Sequence, residues 1–105
     1  MPDRSHELDQ LIHAPVRLRI MTTLAEAVEA DFVHLREETG TTDGNLSRHL
    51  TKLEEAGYVR VRKGYEGRKP RTTVSMTKKG RRALLSYLSQ LEAIVERARR
   101  AEREA

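Results

Sequence analysis

The chain contains no cysteine. Disulfides, iron–sulfur clusters, thiolate zinc sites and cysteine nucleophiles are therefore excluded together. Aromatic residues make up only 4% of the sequence, namely Phe32, Tyr58, Tyr65 and Tyr87. With so few rings and 105 residues, one small domain with a modest core is expected, without a large internal ligand cavity. No apolar run approaches the roughly 20 residues that cross a bilayer. The opening segment MPDRSHELDQ is polar and acidic, unlike a secretory signal. These absences point to a soluble, cytoplasmic chain with no membrane partner.

What is present is charge, and it is unevenly placed. Lys and Arg number 20 against 16 Asp and Glu, a net +4. Residues 1–40 carry 4 basic and 8 acidic side chains, whereas residues 41–82 carry 12 basic and 4 acidic. Residues 83–105 hold 4 of each sign. A middle third of net +8 is either a solvated basic surface or the footprint of an anionic partner.

The hydrophobic period divides the chain into elements. Leu8, Leu11 and Ile12 fall at i, i+3, i+4 and predict a short N-terminal helix. Pro15 suits the first turn of the next, which Val16, Ile20, Leu24, Ala27 and Val28 continue. Asp31 reads as the N-cap of a third helix, Phe32 to Thr39, closed by Gly40. Thr41 and Thr42 cap a fourth, striped by Leu46, Leu50 and Leu53 and ended by Gly57. Two helices joined by a short Gly-containing turn have helix-turn-helix spacing. The period then drops to two: Val59 and Val61 alternate with Tyr58, Arg60 and Arg62, and Thr72, Val74 and Met76 form the returning strand. Between them GYEGRKPR predicts a long basic hairpin tip. Thr77 caps a last helix over about 78–103, with Leu84, Leu88, Leu91, Val95 and Ala98 spaced as a packing seam.

Three of these helices, a basic hairpin and a terminal helix make a winged helix-turn-helix, mainly α with a small β wing. The test is the outward face of the helix after the turn. With Leu46 at 0° and about 100° per residue, Leu50 and Leu53 lie at about 40° and −20°. Gly44, Ser47, Arg48, Thr51 and Lys52 then fall at about 160°, 100°, 200°, 140° and 240°. That face is small, hydrogen-bonding and cationic, and fits a major groove of about 12 Å. Arg48 has the reach for a bidentate contact to guanine, and Asn45 and Ser47 for a base edge or phosphate. Thr41 and Thr42, with the first free N–H groups of the helix, suit a phosphate oxygen. In the wing, Arg68 and Arg71 are candidates for the minor groove and Lys63 and Lys69 for phosphates. Tyr65 either packs across the wing or touches DNA.

The stretches HAPVRLRIM (13–21), ADFVHLREETG (30–40), TTDGNLSRHLTKLEEAGYV (41–59) and KGYEGRKPRTTVSMTKKGR (63–81) resemble short winged-helix transcriptional regulators related to the MarR and ArsR types. The resemblance covers more than four-fifths of the chain, from about Leu8 to Leu91. It implies a homodimer on a pseudo-palindromic operator, expected to act as a repressor, with the terminal helices joining the subunits. The metal sites of some ArsR-type relatives do not carry over, because cysteine is absent and the last helix lacks histidine. Leu8, Leu11 and Ile12 from the first helix and Leu88, Leu91, Ile94 and Val95 from the last are the expected dimer interface, whereas Leu84 and Leu85 should cap their own core.

Other classes fit less well. The four histidines form no i, i+4 pair, and His6 with Glu7 and Asp9 is only a weak metal-binding group. Ser47 and His49 point apart on one helix, and Gly64 and Gly67 belong to a hairpin rather than a phosphate loop. An enzyme is not expected, nor any cofactor. The rival is a protein-interaction module whose basic wing meets an acidic partner protein. An effector pocket has a place only at the dimer interface, and no residue pattern calls for one.

Overall fold

The structure, a computed structural model, describes residues 8–105, so His6 and Glu7 lie outside the described residues. Helix α1 spans Pro15–Ala25, α2 Phe32–Thr39, α3 Asp43–Glu55 and α4 Lys78–Glu104. Strands β1 (Ala30–Asp31), β2 (Val59–Glu66) and β3 (Lys69–Met76) form an antiparallel sheet in the order β1-β3-β2. This is the winged helix-turn-helix fold.

Local chemistry sets most boundaries. Asp31 accepts from the His34 N–H at 2.8 Å, Thr42 from Asn45 at 3.2 Å and Thr77 from Gly80 at 3.0 Å, each satisfying an orphan donor of a helix start. Gly40 closes α2 at φ +63°, a left-handed conformation that favours glycine. The stripe of Leu46, Leu50 and Leu53 faces inward against Ile20, Met21, Leu24 and Leu35. Val59, Val74 and Leu84 extend the same core to the sheet and α4.

Five expectations need correction. Residues 8–14 form a turn, not a helix, because Asp9 Oδ1 takes the N–H groups of Leu11 (2.9 Å) and Ile12 (3.2 Å). Ile12 is wholly buried in its own protomer, which removes it from any surface. Helix α1 stops at Ala25, and Val28 is 92% exposed. The chain leaves the helix there to pair Ala30 with Val74 and Asp31 with Thr73, a third strand that no periodicity announces. The hairpin is tight: Glu66 pairs with Lys69 across Gly67 and Arg68, with Gly67 at φ +64°, and Pro70 lies in β3 beyond the reach of β1. Finally, Leu84 is core, but Leu85 faces solvent.

The N-terminal turn straps the domain together. Asp9 Oδ2 accepts from the Tyr58 hydroxyl at 2.6 Å, and burial with this bond pushes the Tyr58 hydroxyl up to about 12. His13 Nδ1 bonds the hydroxyl of buried Tyr87 on α4 at 2.8 Å.

The root of α4 is fixed more tightly still. The Thr77 N–H donates to the Tyr58 carbonyl at 3.0 Å, and the Thr77 hydroxyl donates to the Gly57 carbonyl. Gly80 lies so close that a Cβ there would stand 2.1 Å from the Tyr58 carbonyl oxygen. Gly80→Ala is therefore expected to destabilise by about 3 kcal/mol or more, since backbone must move. Thermal unfolding followed by circular dichroism checks this, and an unchanged midpoint would contradict the close approach.

Candidate nucleic-acid interface

The helix α3 is presented by α2 through a three-residue connection, Gly40, Thr41 and Thr42. Arg36 of α2 binds Asp43 of α3 at 2.7 Å, and this bond raises the guanidinium above its ordinary value. The leucine stripe anchors the inner face. Gly44, Asn45, Ser47, Arg48, Thr51 and Lys52 are all exposed on the outer face, Thr42 is exposed at its start, and Thr41 is half-buried.

The hydrogen bonds define what this face can do. The Thr42 oxygen is occupied as a cap, so its hydroxyl proton is what remains for a phosphate. Thr51 donates to the Ser47 carbonyl at 2.9 Å, leaving a lone pair and a methyl group outward. Arg48 donates to the Asn45 side-chain carbonyl at 3.1 Å, which orients both side chains and keeps the Asn45 amide donors free. A guanidinium so placed retains enough donors for a bidentate contact to guanine.

Strand pairing sorts the wing. Directly opposite residues share a face, so Lys63 with Thr72 and Tyr65 with Pro70 lie on one side. Glu66 with Lys69 and Gly64 with Arg71 lie on the other. Lys63, Tyr65, Arg68 and Lys69 are exposed, and Tyr65, at 77% exposure, does not pack across the wing. Arg71 differs from these cations. Its guanidinium stands 3.7 Å from Asp31 and 3.8 Å from Glu66, so much of its charge is already answered.

Between α3 and the wing runs a groove of about 240 Å³ lined by Ser47, Thr51, Glu54, Lys63 and Thr72, with Phe32, Leu50 and Val61 beneath. Thr72 was not expected at the site. Its place follows from its register opposite Lys63, which only strand pairing reveals. Among the described residues, no three His, Asp or Glu side chains are grouped to hold a metal ion, and no helix is long and apolar enough to cross a membrane.

The profile of the winged helix DNA-binding domain family matches residues 16–95. The chain belongs to this family. An uncharacterised protein of Methanocaldococcus jannaschii is 34% identical to this winged helix protein over 82 residues, 78% of this chain and 89% of that one. The structure of a transcriptional regulator homologue from Pyrococcus horikoshii OT3 superposes with a TM-score of 0.80 at 32% identity, covering 89% of this chain and 92% of that one. A MarR-family regulator from Enterococcus faecalis V583 shares the fold, with a TM-score of 0.71 at 24% identity over 91% of this chain and 86% of that one. The resemblance to MarR-type regulators holds at the level of fold, and the family is one of DNA-binding proteins rather than enzymes.

Glu66 is the one acidic side chain of the wing, and it sits beside the Arg71 guanidinium. Glu66→Gln removes a charge that repels phosphate and releases Arg71. The variant is expected to bind duplex DNA several-fold more tightly at low salt, with a steeper salt dependence. Fluorescence anisotropy across a salt series measures both; equal affinity and slope would show that the wing stays clear of the DNA.

Proposed function

We propose that this winged helix protein is a homodimeric transcriptional repressor of a pseudo-palindromic operator. Helix α3 enters the major groove and the wing meets the minor groove and backbone. DNA binding rests on the family; the two-fold arrangement rests on the uncovered apolar seam of α4. Every residue from Glu92 onward is exposed, and Ile94 and Val95 are 46% and 40% exposed. Leu88, Leu91 and Val95 line an open groove of about 480 Å³ rimmed by Glu92, Glu96 and Arg99. An apolar strip with a charged rim is the pattern of a helix that buries one side against a partner.

A second copy is the occupant that fits, because the strip continues directly from the protomer's own core at Leu84 and Tyr87. Leu8 and Leu11, half-buried beside that core, complete the proposed interface. Two-fold symmetry would then set two copies of α3 about 34 Å apart, one turn of DNA. Repression is the sign that fits best, since occupancy of DNA excludes other proteins without further contacts.

Three outcomes are expected. Genomic fragments in an electrophoretic shift should show a preferred sequence; binding without preference would favour the acidic-partner reading of the wing. Arg48→Ala should relax the choice at one base pair by about 1–3 kcal/mol, whereas Lys69→Ala should weaken all sequences alike and lower the salt slope by about 0.9. Val95→Glu should yield monomers in sedimentation velocity and weaken operator binding, while a variant that stays dimeric would remove α4 from the interface.

A further inference from the structure

The two flanks of α3 differ in what they face. On one side Ser47 and Thr51 look across a groove to Lys63 of the wing. The other side meets the start of α1, and there Arg17, His49 and Lys52 come together. Arg17 donates from Nε to the Leu11 carbonyl, and its Nη1 lies 3.1 Å from His49 Nδ1. His49 and Lys52 are three residues apart and so neighbours on the helix surface.

Among the described residues this cluster meets no anion. Arg19, Arg36 and Arg71 each face a carboxylate. Among the described residues no ion pair reaches Arg17, His49 or Lys52, and Arg17 is half-buried with only neutral acceptors. A desolvated cation that meets no counter-charge among the described residues is suited to an anion from outside.

The bonding also fixes the state of the histidine. A guanidinium only donates, so His49 Nδ1 accepts and the neutral ring carries its proton on Nε2. Burial, followed by the charges of Arg17, Lys52 and Arg48, holds the imidazole below its ordinary value and favours this neutral form. Nε2–H is then a fixed donor with no acceptor among the described residues. Arg17 is equally prearranged, because its Nε is tied to the N-terminal turn and loses less freedom on binding.

A helix with its side chains is about 10–12 Å across and the major groove about 12 Å wide, so sugar–phosphate strands run along both flanks of a docked helix. We propose that Arg17, His49 and Lys52 form a second phosphate clamp, gripping the DNA strand opposite the one met by the wing. His49 donates through Nε2–H to a phosphate oxygen, and Arg17 and Lys52 supply the charge. The clamp rests on the docking of α3 described above, and it adds two residues, Arg17 and His49, that lie outside the recognition face.

The full chain with its selected operator fragment provides the test. Arg17→Ala is expected to lower the slope of log affinity against log salt by about 0.9, and Arg17→Lys to restore it. His49→Asn keeps an acceptor for Arg17 near Nδ1 but lacks the outer donor, and should weaken binding about five-fold, one hydrogen bond's worth. His49→Gln places an amide near Nε2 and should bind as the parent does. Nitrogen shifts of the His49 ring should show the Nε2–H form in free protein, with its proton moving downfield on addition of DNA. Thermal unfolding of each variant separates lost contact from lost fold. An unchanged slope in Arg17→Ala, with Lys69→Ala still lowering it, overturns the clamp and leaves the docking intact. If neither variant alters the slope, clamp and docking both fall.

Discussion

Recognition helix, wing and terminal helix all hang from one close backbone approach, that of Gly80 to Tyr58. Tyr58 lies where α3 has ended and β2 is about to begin; Thr77 and Gly80 lie where β3 has ended and α4 begins. The Thr77 bonds to Gly57 and Tyr58 seal the two junctions together. The approach sets the rise of the wing relative to α3 and, in the same stroke, the departure of α4. Only a residue without a side chain fits, and the Asp9 bond to the Tyr58 hydroxyl buttresses the same spot from the N-terminal turn.

How much of this was legible depended on the range of the interaction. The caps at Asp31, Thr42 and Thr77 act over three residues, and the stripe of Leu46, Leu50 and Leu53 over two turns, so they stand in the sequence as they stand in the fold. Strand β1 is two residues paired with Val74 and Thr73, far along the chain. The tip was misjudged because glycines and Pro70 read as loop, whereas cross-strand pairing carries the ladder down to Glu66 and Lys69. The N-terminal turn deceived in the opposite way. Its leucine spacing is helical, but Asp9 competes for the same N–H groups and wins.

The site shows the same division. Helical spacing alone brings Asn45, Ser47, Arg48, Thr51 and Lys52 to one face. It cannot say which cations are already answered. Arg71 counts in the sequence as one more positive charge of the wing, yet Asp31 and Glu66 hold it. Arg17 counts as a residue of the acidic first third, yet it stands beside α3 with no carboxylate of the described residues paired to it. A tally of charge by segment therefore overstates the wing and misses the flank, because tertiary contacts decide where a charge is left unanswered.

Helix α4 is 27 residues long, about 40 Å of stiff rod, and every residue of its far half, from Glu92 on, is exposed. A rod so mounted is a lever. In a dimer joined along it, a tilt of about 5° at the far end would sweep the domain by roughly 3.5 Å, one base-pair rise. The alignment of two recognition helices with the DNA steps would then be tuned by residues that never approach the DNA. A small change of packing around Ile94 or Val95 would shift the operator spacing that such a dimer accepts, with every base-contacting residue left as it is.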